Sequence, residues 1–246
     1  MPFDIIKTEK ISNVGVDMKR NNTVYLITLC GLILAIMLIF GFTPLGTIKM
    51  IGLSITLMGI PVAIIACAFG PWMGMVAGFI WGSIALIQAF TGMDTIGTLI
   101  LTSDMPSGIK YGGIFSICYC RIFVGFLTGL IYDAIRLIDR KGFVAPFIAS
   151  MMTAILNTLF FMSIFVLFFY KTSTIQELCS SYNLDPNNAF LFVCGFVGVN
   201  FFAEFITNML IGGGASLGIN KAIEKMGISS PLPHFFKKKE KTNYLK

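Results

Sequence analysis

The sequence predicts an all-α integral membrane protein, a bundle of six transmembrane helices, and three observations carry that prediction. Hydrophobic residues make up 56% of the 246 positions and charged residues only 12%, too few polar groups to coat a water-soluble domain. The apolar residues gather into stretches close to the ~20 that one helix needs to cross hydrocarbon. Lysine and arginine concentrate in alternate connections between those stretches, the pattern that sets membrane topology. Six spans use up most of the chain, so no sizeable extramembrane domain fits. The organisation is a cytoplasmic segment over 1–23, a membrane domain over 24–226 and a basic cytoplasmic tail over 227–246.

Val24 to Phe42 is the first span, and the polar start MPFDIIKTEKISNVGVDMKR before it lacks the make-up of a cleaved secretory signal. Thr43 to Ser54 holds Pro44, Gly46, Lys49 and Gly52 and is expected as an outer loop. Ile55 to Phe69 is short for a span and carries Pro61, which predicts a short or broken second helix. Gly70-Pro71 is an inner turn, because proline restricts the residue before it and suits the start of a helix. Trp72 to Phe90 is span three, and Thr91 to Gly113, with Asp94, Asp104 and Pro106, is expected as a loop. Ile114 to Leu137 is span four, Phe143 to Tyr170 is span five, and the polar stretch Lys171 to Asn188 returns the chain outside. Ala189 to Ile219 is span six, loosened at Gly212-Gly213-Gly214.

With both termini inside, the inner segments hold Lys7, Lys10, Lys19, Arg20, Arg136, Arg140, Lys141, Lys221, Lys225 and five tail lysines. The outer loops hold Lys49, Lys110 and Lys171, so the ratio is fourteen to three and the orientation follows. The net charge of +6 therefore reads as a topology signal facing anionic lipid, not as a nucleic-acid footprint. Five of the six cysteines lie in apolar segments, with Cys179 in an outer loop, which argues against a disulfide framework. The single histidine, His234, lies in the tail and leaves no metal-ligand set.

Small residues recur at intervals of four in Gly74, Gly78 and Gly82, in Gly31 and Ala35, and in Gly125 and Gly129. That spacing lets helix backbones approach closely in lipid. Packing within the bundle accounts for any one pair, and for Gly31 and Ala35 a contact with another subunit stays open.

Polar side chains inside hydrocarbon are costly, so those that persist face one another or a cavity. Span four carries Arg121, span five Asn157, and span six Asn200, Glu204 and Asn208 along one face. Thr56, Trp81, Ser83 and Gln88 add to the outer halves of spans two and three. Glu204 reads as the only deeply placed acid within reach of Arg121. Either the two pair and tie spans four and six together, or Arg121 and the asparagines line an outward pocket for a small polar solute. A guanidinium fork suits a carboxylate.

No phosphate-binding G-x-x-x-x-G-K-[ST] loop, G-x-S-x-G elbow or H-E-x-x-H pair occurs, and no two carboxylates lie together in a span. The expectation is therefore a non-enzyme without cofactors of its own. Any uphill movement of a solute must draw energy from a partner or from an ion gradient, which keeps a secondary carrier of a small organic anion as the alternative. Such carriers often show inverted repeats, and none is visible.

The stretch ITLMGIPVAIIACAFGPWMGMVAGFIWGSIALIQAF, Ile55 to Phe90, resembles the substrate-binding S component of energy-coupling factor (ECF) vitamin transporters. CRIFVGFLTGLIYDAI around Arg121, ILNTLFF around Asn157 and VNFFAEFI around Asn200 and Glu204 extend the resemblance over Val24 to Met226, with pantothenate-type members most similar. The resemblance implies a six-helix protein that binds a vitamin from outside and works with a transmembrane coupling subunit and two ATPases, which would use the ATP. It implies Arg121 as carboxylate ligand, Asn157 and Asn200 as hydrogen-bonding partners, Glu204 as acceptor or orienter, and Gly31 and Ala35 as the face toward the coupling subunit. Three positions depart from the pantothenate-type pattern: Gly59 stands where a histidine is expected, Gln88 where a basic residue is, and Ala203 where a proline is.

Overall fold

The computed structural model describes residues 24–44, 46–49, 54–139, 141–181 and 189–226. The cytoplasmic segment and basic tail expected at 1–23 and 227–246 lie outside the described residues. Helix α1 spans Val24–Phe42, followed by strands β1 (Thr47–Lys49) and β2 (Ser54–Thr56). Then come α2 (Gly59–Phe69), α3 (Pro71–Phe90), α4 (Thr95–Thr102), α5 (Ser107–Tyr119) and α6 (Arg121–Arg136). The chain continues through α7 (Val144–Phe169), α8 (Ser173–Ser181), α9 (Ala189–Thr207), a π-helical turn (Asn208–Gly212) and α10 (Gly213–Lys225).

Among the described residues, five helical stretches are long and apolar enough to cross a membrane: Val24–Phe42, Pro71–Phe90, Ser107–Arg136, Val144–Phe169 and Asn200–Lys225. The expected second span is the exception. Helix α2 has 11 residues, roughly 16 Å of rise against a ~30 Å hydrocarbon core. All eleven are buried. Enclosed by α3, α6, α7 and α10, α2 meets neighbours on every side, which explains why its sequence is apolar all round.

Several connections read as loops carry structure. The segment after α1 forms an antiparallel hairpin in which Thr47 faces Thr56 and Lys49 faces Ser54, so Thr56 sits on a strand and not in span two. Residues 95–102, expected within a loop, form α4. Asp94 accepts from Gly97 N at 2.6 Å as its N-cap, and Lys110 Nζ donates to the end carbonyls of Leu101 and Ser103. Span four begins earlier than expected, at Ser107, and is interrupted only at Cys120. In span six the irregularity is a π-helical turn over Asn208–Gly212, which ends on the first glycine of the run, and the chain is α-helical from Gly213.

The glycine rows set the central packing. A Cβ on Gly74 would strike Gly125 O, one on Gly78 would strike Arg121 O, and one on Gly82 would strike Cys118 O. Gly125 and Gly129 repay the approach from the other side, against Gly74 O and Pro71 Cα. Helix α3 therefore lies backbone to backbone along α5 and α6, the most extensive helix contact in the molecule. The turn that starts α3 needs Gly70 at φ +86°, with Pro71 at the first helical position. The α6–α7 connection is fixed by Asp139, whose carboxylate accepts from Gly142 N, Val144 N and Ala145 N at 2.7–3.0 Å.

Candidate solute-binding cavity

The close approach that the glycines permit also positions the site. Because Gly78 rests on the Arg121 carbonyl, Trp81, one turn further along α3, meets the Arg121 side chain. The guanidinium carbon lies 5.0 Å from the indole centroid, and Trp81 is only 3% exposed. An indole face attracts a cation at this distance. Arg121 Nη1 donates to Ile117 O at 3.1 Å, one turn back on its own rod. Its Nε is buried without a hydrogen-bond partner.

Facing it are α7 and α9. Asn157 is 8% exposed and its Oδ1 is buried with no partner. Asn200 and Glu204, 8% and 7% exposed, are one turn apart on α9. Glu204 Oε1 accepts from the backbone N–H of Thr56 at 2.9 Å, so the hairpin is fastened to α9 through this carboxylate. Thr56 Oγ1 in turn accepts from Met58 N at 3.3 Å.

All six residues singled out as substrate-binding candidates, Thr56, Trp81, Arg121, Asn157, Asn200 and Glu204, line one cavity of about 120 Å³. One water needs only ~10–15 Å³ by this measure, so there is room for a small solute. Ile100, Ile114, Ile117 and Phe161 give it an apolar wall. A concave site, largely apolar with a few convergent polar groups, is the usual form of a small-molecule pocket.

The simple-tether alternative for Arg121 is not what the geometry displays. Among the described residues no hydrogen bond joins Arg121 to Glu204; each has the partner named above, and both face the cavity. One further expectation is corrected. Asn208 shares the sequence face of Asn200 and Glu204, yet it lies outside the cavity. It begins the π-helical turn, donates to Glu204 O at 2.8 Å and packs against Gly59. Glu204 is the deeply buried acid of the cavity; Asp94, half-buried, also lines it, and Asp133 is buried about three turns beyond Arg121 on α6.

Asp94 falls in a segment expected as a loop, although an aspartate just ahead of an apolar run is a helix N-cap signal. Gln88, one of the polar residues in the outer half of span three, lines the cavity and donates through Nε2 to Gly41 O, holding the end of α1 to α3. Gly59 stands where a histidine was expected, and a Cβ there would lie 2.6 Å from Asn208 Oδ1. A larger side chain at this position has to displace that amide. Gly31 and Ala35 are exposed on α1, and nothing lies within 4 Å of a Cβ placed on Gly31. Lys49 lies on β1.

Comparison with known proteins agrees with this architecture. Residues 26–212 match the family described as "ECF transporter, substrate-specific component". The chain is also 26% identical over 203 residues to a pantothenate transporter, PanT, of Leuconostoc mesenteroides subsp. mesenteroides, covering 79% of this chain and 91% of that protein. The family match, together with several apolar helices around a cavity with convergent polar groups, makes it a multi-pass membrane protein that binds a solute for transport and is not an enzyme. The chain belongs to the family of substrate-specific components of ECF transporters.

Proposed function

We propose that the chain captures pantothenate, or a closely related small vitamin precursor, from the outer side of the cell membrane. Both termini then face the cytoplasm, and the loaded subunit delivers the solute through a module of one transmembrane coupling subunit and two ATPases. The observation that carries the reading is the convergence of Arg121, Asn157, Asn200 and Glu204 on one cavity, with Arg121 Nε and Asn157 Oδ1 buried without hydrogen-bond partners among the described residues. A buried polar group without a partner is costly, and a solute supplying an acceptor to one and a donor to the other removes that cost. Pantothenate offers a carboxylate, an amide and two hydroxyls, and the likeness to PanT supports the choice. The guanidinium, held between the Trp81 face and Ile117 O, is the cationic group of the cavity and takes the carboxylate.

Titration of the purified protein with pantothenate, biotin, riboflavin, folate and niacin tests this. Saturable binding of pantothenate is expected, and Arg121→Ala should weaken it by about 10- to 150-fold, the equivalent of the roughly 1.5–3 kcal/mol of a charge-assisted hydrogen bond. Absence of pantothenate binding by the wild type would remove the reading.

A further inference from the structure

The cavity holds one guanidinium and two carboxylates, Arg121 against Glu204 and Asp94. An anionic solute brought to Arg121 adds another negative group to this set. Such a solute is accommodated only if it also presents hydrogen-bond donors to the carboxylates already there. Glu204 has a donor from the protein, the Thr56 N–H. Asp94 is placed differently. Its Oδ2 accepts from Gly97 N at 2.6 Å, and no hydrogen bond among the described residues engages Oδ1.

Asp94 is also held firmly in place. Its own N–H and that of Met93 both donate to Gln88 O, at 3.2 and 2.9 Å. The preceding turn uses Gly92 at φ +78°, a conformation natural to glycine. Gly97 is bare because a Cβ there would lie 2.6 Å from Ala89 Cβ and 2.9 Å from Asp94 Oδ2. Three glycine and backbone constraints thus fix one carboxylate at the rim of α4, with one oxygen spent on the helix cap. That the cavity awaits a ligand follows independently from Asn157, nine-tenths buried with an unpartnered Oδ1.

We infer that Asp94 is a specificity-determining residue, its free oxygen accepting a hydroxyl proton from the solute while Arg121 holds the solute's carboxylate. The inference rests on the reading of this cavity as the solute site and adds to it the class of solute selected: a hydroxylated carboxylate, preferred over the same acid without hydroxyls. No proton is transferred and no bond is made; discrimination comes from leaving a fixed acceptor unpaired when the hydroxyl is missing.

The test uses two probes with the full-length purified protein, pantothenate and N-(3,3-dimethylbutanoyl)-β-alanine, which keeps the amide, carboxylate and carbon skeleton but lacks both hydroxyls. The wild type should prefer pantothenate by at least tenfold. Asp94→Ala should lower pantothenate affinity about tenfold, leave the affinity for the analogue unchanged, and so erase the preference, whereas Arg121→Ala should weaken both probes together. Should Asp94→Ala prove unstable, Asp94→Ser retains a capping oxygen for Gly97 N–H, has no second oxygen for the solute, and is read in the same way. A variant that keeps the full preference, or one that loses both probes in proportion, overturns the role of Asp94 while leaving the cavity assignment standing. Failure of the wild type to bind pantothenate at all sinks the cavity assignment and this inference with it.

Discussion

Helices α1 and α3 carry the same sequence signal and put it to opposite use. On α3, Gly74, Gly78 and Gly82 are closed over by the backbone of α5 and α6, with no space for even one methyl group. On α1, Gly31 and Ala35 have the same four-residue spacing, yet they are exposed and Gly31 has nothing within 4 Å of where a Cβ would stand. The opposite side of α1 is the packed one, with Ile33 and Met37 almost fully buried and Gly41 against Ile84. Spacing of small residues therefore announces that a backbone is approachable, not what approaches it. Among the described residues the α3 row is covered and the α1 pair is not.

A graded series of glycine substitutions sharpens that contrast. The largest effect should come from Gly78→Ala, because the obstacle is the Arg121 carbonyl, a backbone atom that cannot swing aside. Overpacking of this kind costs about 3 kcal/mol, equivalent to roughly 6–12 °C in the melting temperature of a domain this size. Scanning fluorimetry in detergent reads it, and pantothenate affinity should fall as well, since the same contact aims Trp81 at Arg121. A melting temperature equal to the wild type's would mean that α3 and α6 do not lie backbone to backbone.

Gly59→Ala should have an intermediate effect. The new methyl group meets Asn208 Oδ1 at 2.6 Å, but that atom ends a side chain and already lacks a partner, so it can turn away. We expect a loss of about 1 kcal/mol, some 2–4 °C, and unchanged binding because neither residue lines the cavity. Pairing it with Asn208→Ala should cancel most of the loss; additivity of the two changes would show that they do not touch.

How much of this could be read beforehand follows from the same distinction between local and relational signals. The spans were legible because hydrophobicity and length are properties of a segment by itself. Four of the cavity residues were legible because an arginine, two asparagines and a glutamate in hydrocarbon are rare enough to imply common surroundings. What stayed hidden depended on neighbours. Thr56 reads as part of a helix by its apolar context, and only the pairing of 47–49 with 54–56 makes it a strand residue. Asn208 sits four residues after Glu204, and only the π-helical turn takes it out of the cavity. Asp94 looked like loop polarity until α4 folded back beneath it.

The smallest expected effect on the isolated protein is the most informative about the free pair. Gly31→Leu places a large side chain where the structure has open space, so stability should change by less than about 0.5 kcal/mol, and pantothenate titration should be indistinguishable from wild type. Lipid or detergent accommodates the leucine as readily as the glycine, since in hydrocarbon one apolar surface is no better solvated than another. A partner helix cannot do the same, because close backbone approach requires that the position stay small. Co-purification with the coupling subunit and ATPases should therefore be lost in Gly31→Leu and retained in Gly31→Ala. If the leucine variant still assembles, the free face of α1 is lipid-facing and the coupling subunit docks elsewhere; if it unfolds, the space beside Gly31 is occupied and the contrast with α3 disappears.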